Sequence, residues 1–176
     1  MKRILLAVVA VLLFGAGLQA QITKKGDVDL NVGIGVRGHY NDFFRLLVPP
    51  ISASADFCIV DGLINNRAGV NIGPYIGHTL YRYKDHSFVE TMDRLRIGVR
   101  GTFHFTPVKN LDTYAGVTNG ISMRFYDYEI ADDEIKANYM FETFVGVRYF
   151  FAPRVAVYAE TGYGESWFDV GFSFKL

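Results

Sequence analysis

The chain has 176 residues with 18 basic and 18 acidic side chains, so its formal net charge is zero. This length allows one domain or two very small ones, and the balanced charge argues against a dedicated nucleic-acid binder, which is normally basic. A single cysteine excludes an intramolecular disulfide and a zinc site built from cysteines, while 50% hydrophobic residues and 18 glycines are wrong for a disordered chain.

The first twenty residues have the three-part layout of a secretory signal peptide. Lys2 and Arg3 give a positive start, residues 4–18 form an apolar run, and Ala20 is a small residue where a signal peptidase would cut. The run is shorter than the roughly 20 residues of a membrane-spanning helix, although an N-terminal anchor helix is the alternative. The sequence therefore predicts a cleaved signal at 1–20 and a mature chain at 21–176, exported to the envelope of a bacterium.

Downstream of this segment, apolar residues alternate with polar residues or glycine. In the first such stretch, Leu30 and Val32 share one parity, whereas Asp29 and Asn31 share the other. Successive side chains of a strand point to opposite faces, so the alternation predicts strands with one aliphatic and one polar face. The eight predicted strands cover residues 28–36, 51–59, 67–73, 94–105, 113–125, 139–149, 155–163 and 168–176.

The third predicted strand is followed directly by a proline, which cannot donate to a ladder of hydrogen bonds. Pro74 therefore predicts a β-bulge. Such a bulge would move His78 to the polar face and turn Tyr75 to the aliphatic face.

The polar faces also carry most of the glycines, and this decides which face lies inside. A water-exposed face gains nothing from glycine, which weakens a strand, whereas the inner wall of a narrow barrel needs the space. The aliphatic face would then contact lipid. With the signal peptide, this pattern favours a transmembrane barrel over a soluble barrel of the lipocalin type.

The connections between predicted strands alternate in length. Long segments at 38–50, 81–93 and 126–138 alternate with short links at 60–66, 106–110 and 150–154, and only the short link at 164–166 breaks the rule. Long loops on one side and tight turns on the other are typical of outer-membrane barrels. We therefore predict an all-β fold, an eight-stranded antiparallel up-and-down transmembrane β-barrel in the outer membrane, with both termini in the periplasm.

The C-terminal part of the chain resembles the small outer-membrane β-barrels of Gram-negative bacteria. The resemblance lies in two stretches, residues 149–154 leading into 158–164, and the ending 170–176. These small barrels are the OmpA-type barrel domains and their porin-like relatives. The resemblance implies that the last strand carries a signal read by the barrel-assembly machinery. Phe172 and Phe174 fit that signal, and Leu176 stands where the family has a terminal aromatic residue.

Charged residues on the polar faces are expected to meet inside the barrel. Because so narrow a space cannot hydrate them all, we expect them to pair across the lumen and, with aromatic side chains, to fill it. The predicted lumen network comprises Arg37, Asp56, Arg94, Arg96, Arg100, Arg124, Glu142, Arg148, Glu160 and Asp169.

Other motifs do not predict chemistry. The glycines of residues 33–38 match a dinucleotide-binding fingerprint, but they lie inside a strand rather than at the start of a helix. The lone Cys58 is interpreted as an inward-pointing structural thiol. No catalytic set, metal ligands or cofactor are predicted.

The predicted loops suggest partners. The basic residues Arg82, Lys84 and His86 could meet the phosphates of lipopolysaccharide, and the acidic segment 127–134 is interpreted as solvated, with a divalent-cation site as the alternative. The apolar segment 43–48 could fold over the barrel rim or form a surface for a partner.

Three functions remain open at this point. The first is a non-enzymatic outer-membrane protein that serves as an anchor or surface-interaction protein and has a filled lumen. The second is a porin-like channel for small solutes, and the third is a lipid-modifying enzyme. The first is favoured because a barrel of eight strands is only wide enough for its own side chains.

Overall fold

The computed structural model describes residues 23–36, 44–83, 89–128 and 134–176. These form a closed antiparallel barrel in which every strand pairs with its neighbour in the chain and the last pairs with the first. The strands are β1 (Val28–Gly35), β2 (Phe44–Gly62), β3 (Ala68–Tyr83), β4 (Val89–Val108), β5 (Leu111–Tyr128), β6 (Glu134–Ala152), β7 (Val155–Tyr163) and β8 (Phe168–Lys175). The predicted fold class is thereby confirmed, whereas the predicted signal peptide lies outside the described residues.

The two faces of the barrel wall are arranged as predicted. Val99 and Val145 are 52% and 57% exposed on the outside, whereas Thr102 and Arg148 are 3% and 1% exposed on the inside. Apolar side chains thus cover the outer surface, and polar and charged side chains occupy the lumen. Within the described residues, no helix is long and apolar enough to cross a membrane.

Glycines on the inner face make room for large side chains from nearby strands. A Cβ atom at Gly33 would lie 2.1 Å from the Tyr158 hydroxyl oxygen, and one at Gly146 would lie 2.5 Å from the Tyr114 ring. These distances are far below van der Waals contact, so a larger residue at either position would displace an aromatic ring.

The predicted bulge at Pro74 is wrong. The pairing of β3 with β4 runs without a register shift from Ala68 to Arg82, with Pro74 opposite Val99. The irregularities lie in β2 instead, where the pairing with β3 shifts at three places. Since the alternation along β3 is unbroken, Tyr75 stays in the lumen and His78 stays on the outer face.

Two polar pairs lie on the outer face. His78 Nε2 is 2.8 Å from Asp93 Oδ1, and the Tyr139 hydroxyl donates a 2.6 Å hydrogen bond to Asn119 Oδ1. Each pair satisfies polar atoms on a surface that is otherwise largely apolar.

Most of each predicted long loop is strand. β2 to β6 have 16 to 20 residues, whereas β1, β7 and β8 have only 8 or 9. A strand needs about 9–11 residues to cross a membrane, so β2 to β6 extend beyond it. Their extensions were not predicted because polar residues occur on both faces there.

These extensions stand at one end of the barrel. We call the end opposite the chain termini the distal end, and the parts of β2 to β6 that rise above β1, β7 and β8 the distal wall. The pairing of β6 with β7 stops at Thr143 opposite Tyr163, so the distal part of β6 is paired only with β5. The barrel wall is therefore taller on the side of β2 to β6 than on the side of β7, β8 and β1.

Tight turns close the other, proximal end. β2 and β3 are joined by the helical turn α1 (Leu63–Asn66), in which Ile64 and Asn65 have φ values of 49° and 56°. Asparagine adopts this left-handed conformation readily, whereas the conformation is strained for a β-branched residue such as Ile64. Asn110 has a φ of 64° in the turn between β4 and β5.

Candidate functional site: the charged lumen

The proximal layer of the lumen is built around Arg148, which is 1% exposed. Its Nη1 atom lies 2.8 Å from Asp29 Oδ2, and its Nε atom lies 3.9 Å from Asp112 Oδ2. Asp112 also contacts His104, with 2.7 Å between Oδ2 and Nδ1, and the His104 ring stacks on Tyr114 at 5.0 Å. Arg148 on β6 therefore contacts acids on both β1 and β5.

The middle layer is built around Arg100 and Glu160. The two side chains form a bidentate pair, with Arg100 Nη1 donating to Glu160 Oε2 at 3.2 Å and Nη2 donating to Oε1. The Tyr114 hydroxyl donates to the same carboxylate at 2.7 Å, and Asp56 lies 3.7 Å from Arg100 Nε. The guanidinium also lies 4.0 Å from the centre of the Phe144 ring, so this layer is filled by charge and by aromatic rings.

The distal layer contains two further arginines. Arg96 Nη1 donates to Glu142 Oε1 at 3.0 Å, and Arg94 forms an ion pair with Glu165. The Tyr81 hydroxyl donates to Glu165 Oε1 at 2.5 Å. Because Glu165 belongs to the connection between β7 and β8, this connection reaches across the mouth to β3 and β4.

The structure does not bring all predicted network residues together. Within the described part of the chain, Arg124 has no hydrogen bond or ion pair, and its Nε atom is buried. Asp169 accepts a hydrogen bond from the Ser166 hydroxyl and stands directly opposite another acid, Glu160. Arg37 lies outside the described residues.

The predicted assembly-signal residues lie at the proximal end of the last strand. Phe172, Phe174 and Leu176 are all exposed on the outer face. They contribute nothing to the lumen.

Sequence reasoning missed three acids of the lumen. Asp29 was placed on the polar face but not in the network, and Asp112 has the parity of Tyr114 one step before the predicted start of its strand. Extending that strand by one residue would have found Asp112. Glu165 carries no such signal, because it lies in a short connection outside the alternating pattern.

A Thr–His–Asp arrangement occurs in the proximal layer. Thr102 Oγ1 lies 2.8 Å from His104 Nε2, and His104 Nδ1 contacts Asp112, which is the order of contacts in acyl-transfer enzymes. All three side chains are at most 3% exposed, so no substrate can reach the hydroxyl in this conformation. Among the described residues, no group of three or more His, Cys, Asp or Glu side chains is placed to hold a metal ion.

A small cavity lies in the lumen near the distal mouth. Its volume is about 40 Å³, and it lies between Arg96, Glu142, Glu160, Glu165 and Asp169. One water molecule needs about 10–15 Å³ of such volume, so this cavity has room for a few waters.

Several solved structures share this fold. The attachment invasion locus protein Ail of Yersinia pestis superposes with a TM-score of 0.57 at 12% identity, covering 87% of this chain and 100% of that chain. Ail was also solved in complex with the heparin analogue sucrose octasulfate, with a TM-score of 0.56, 12% identity and the same two coverages. The N-terminal β-barrel domain of Pseudomonas aeruginosa OprF has a TM-score of 0.51 at 14% identity, covering 88% of this chain and 100% of that chain.

No protein-family model matches the chain, and no curated protein matches it in sequence. The likeness is therefore one of fold, and it agrees with the apolar outer face and the polar lumen. The chain is an eight-stranded transmembrane β-barrel with the fold of the small outer-membrane proteins.

Proposed function

We propose that this protein is a non-enzymatic outer-membrane barrel that acts as a membrane anchor and surface-interaction protein, not as a pore. Residues 1–20 are the cleaved signal peptide, both termini lie in the periplasm, and the distal wall stands outside the cell. The observation that carries this proposal is the filled lumen, which is crossed by buried ion pairs at three levels. The Ail structure with a heparin analogue supports a surface-interaction role for a barrel of this shape.

Ion pairs between strands at three levels of the lumen support a bore that is closed to solutes. Arg148, Arg100 and Arg96 each hold a carboxylate from another strand within 3.2 Å. Opening the lumen would separate buried opposite charges, and removing the partner of such a charge typically costs about 3–5 kcal/mol. This cost in free energy argues against the porin-like channel.

Single-channel recording in planar bilayers tests this proposal. The wild-type protein should show little or no steady conductance, because the closed layers are present in the resting state. A large and steady wild-type conductance would overturn the proposal and establish the porin-like alternative.

The burial of Thr102, His104 and Asp112 argues against an enzyme that modifies lipids. A lipid substrate would approach from the outer face, whereas these side chains face the lumen. Incubation with lipid A followed by mass spectrometry should show no change in the lipid, and a released acyl chain would contradict this part of the proposal.

Lipopolysaccharide is the proposed lipid partner. Arg45 on β2 and Arg82 on β3 stand directly opposite each other, and both are exposed. Arg82 has the same parity as Ile76, so the pair faces outward on the distal wall, where lipid phosphates would lie. Of the three basic residues predicted for this contact, Lys84 and His86 lie outside the described residues.

This contact can be tested by reconstitution with lipopolysaccharide. Lipopolysaccharide should raise the unfolding temperature of the wild type more than that of an Arg45→Gln/Arg82→Gln variant. Arg154→Gln is the matched control, since Arg154 is also exposed but lies at the proximal end. Equal stabilisation of all three proteins would exclude this pair as the contact.

The outward residues Phe172, Phe174 and Leu176 are proposed to be read by the barrel-assembly machinery. Phe174→Ala should slow insertion in cells. The folded protein should keep nearly the same stability, because the side chain faces lipid.

A further inference from the structure

We propose that an apolar groove on the outer face of the barrel binds an acyl chain of the lipid A part of lipopolysaccharide. This groove, called the outer groove below, crosses β6, β7, β8 and β1 and ends at β2. The inference rests on the proposed function, since it requires the membrane leaflet at the distal end of the barrel to contain lipopolysaccharide.

Strand register builds one side of the outer groove, the distal ridge. It consists of outward side chains that stand directly opposite one another on neighbouring strands: Val147, Ala159, Val170 and Ile34. The middle two, Ala159 and Val170, are half-buried, whereas the two at the ends are exposed. The outer surface is therefore recessed in the middle of this row.

The other side of the outer groove, the proximal ridge, lies two residues nearer the proximal end on each strand. It consists of Tyr149, Val157, Phe172 and Val32, which are also directly opposite one another. All four side chains are exposed on the outer face. The two ridges therefore run side by side across the strands, with the groove between them.

Two glycines form the floor of the outer groove. Gly33 is directly opposite Gly171, Gly171 is directly opposite Tyr158, and all three residues face the lumen. A Cβ atom at Gly171 would lie 2.7 Å from the Tyr158 ring, so the backbone lies directly against this ring. The wall is thus drawn towards the lumen where no side chain stands between, and this deepens the groove on the outside.

The outer groove has the shape and chemistry of a site for an acyl chain. Its volume is about 810 Å³, within the roughly 300–1,000 Å³ of small-molecule sites. It extends over five strands that lie about 4.8 Å apart, so it is roughly 19 Å long. The residues that line it are aliphatic, aromatic or glycine, and an elongated apolar ligand fits such a lining.

The direction of the outer groove distinguishes a bound chain from the surrounding lipid. Strands of outer-membrane barrels tilt by about 35–45°, so a groove that runs across them is oblique to the membrane normal. A lipid chain along the normal would leave part of the groove empty and lose dispersion contacts there. Close packing therefore favours a chain that lies in the groove, although lipid tails are as apolar as the protein surface.

The distal end of the outer groove selects the lipid. Ile34 is the last but one residue of β1, so this end lies at the distal rim of the barrel. Ile51, which lines the same end, is directly opposite His78, and His78 forms the outward polar pair with Asp93. Polar side chains at this place suit the amide and hydroxyl groups at which acyl chains of lipid A begin.

Photolabelling of the full-length protein in lipid vesicles tests the inference. The probe is lipid A with a photoreactive diazirine on one acyl chain, and the labelled residues are identified by mass spectrometry of peptides. We expect the two ridges to be labelled about threefold more than the outer face of β4 and β5, since on the order of five additional atom contacts give such a preference.

A matched pair of variants separates the outer groove from the rest of the lipid face. Ala159→Phe fills the middle of the groove and should lower labelling of the ridges about threefold, for the same number of lost contacts. Ala115→Phe is the control, because Ala115 is exposed on β5 and directly opposite the outward Val145. Both variants place a ring on the lipid face, and gel mobility of unheated samples verifies that both are folded.

A second lipid tests the choice of lipid A. Phosphatidylglycerol with the same photoreactive chain has no amide groups for the polar pair, so it should label the ridges less than lipid A does. Equal labelling of the ridges by the two lipids would overturn the assignment to lipid A.

Three further results would overturn the inference: even labelling of the whole outer face by lipid A, no effect of Ala159→Phe, or an equal loss in Ala115→Phe. The vesicles contain lipid A in both leaflets, so the outer groove would still be labelled if the barrel had the opposite orientation. An open pore would appear as conductance and leave the labelling unchanged. Failure of the proposed function is therefore distinguishable from failure of this inference.

Discussion

Glu160 lies at the centre of the middle layer, and its replacement by alanine is the sharpest test of the filled barrel. The carboxylate accepts two hydrogen bonds from Arg100 and one from the Tyr114 hydroxyl. Without it, Asp56, at 3.7 Å, is the one counter-charge that Arg100 keeps among the described residues. Leaving one partner of a buried pair behind typically costs about 3–5 kcal/mol.

A loss of that size is a large part of the about 5–15 kcal/mol that stabilises a typical folded protein. Glu160→Gln should fall between alanine and the wild type, because glutamine keeps an acceptor for Tyr114 but removes the charge. Asp127→Ala is the control, since Asp127 is exposed on the distal wall and surface changes usually stay within about 0.5 kcal/mol.

Urea unfolding in lipid vesicles gives the measurement. It can be followed by the different gel mobility of folded and unfolded protein and by the fluorescence of the single tryptophan, Trp167. If Glu160→Ala loses less than about 1 kcal/mol, Arg100 is hydrated in the variant, and the reasoning that the lumen is closed is refuted.

Three further predictions concern other parts of the barrel. Val99→Arg should cost about 2–4 kcal/mol by placing a charge on the lipid face, seen as lost insertion into vesicles; equal folding of this variant and Thr102→Ser would invert the assignment of the two faces. Ile64→Asn should raise the free energy of unfolding by about 1 kcal/mol in urea melts, because it relieves a left-handed β-branched residue, and an unchanged midpoint would argue against strain. Burial raises the pKa of Asp27, but the Lys175 ammonium at 2.9 Å and the Lys24 backbone amide outweigh it and hold the pKa below its usual value. The carboxylate therefore adds stability above about pH 4 that is lost as pH falls through the lowered pKa, so wild type and Asp27→Asn should converge in acid; a constant difference would rule this out.

Much of the lumen could be predicted because a strand has a period of two. Once Val99 is assigned to the lipid, Arg96, Arg100 and Thr102 follow on one side of the wall without any knowledge of their partners. The same reasoning placed Cys58 inside, where it is 4% exposed. It failed at Pro74, because the missing amide donor was accommodated in an unbroken β3 while the bulges fell in β2.

The sequence by itself determined the number of strands, the face of each strand that meets lipid, and the type of residue that fills the barrel, since these depend only on alternation along the chain. Only the tertiary structure decided which charges meet. Arg148 contacts Asp29, which is far away in the sequence, and Glu165 reaches Arg94 from a connection that has no periodic pattern. Register across three strands likewise places Arg124 between Arg94 and Lys136. Partner choice depends on closure and stagger of the sheet, and neither is encoded in the period of a single strand.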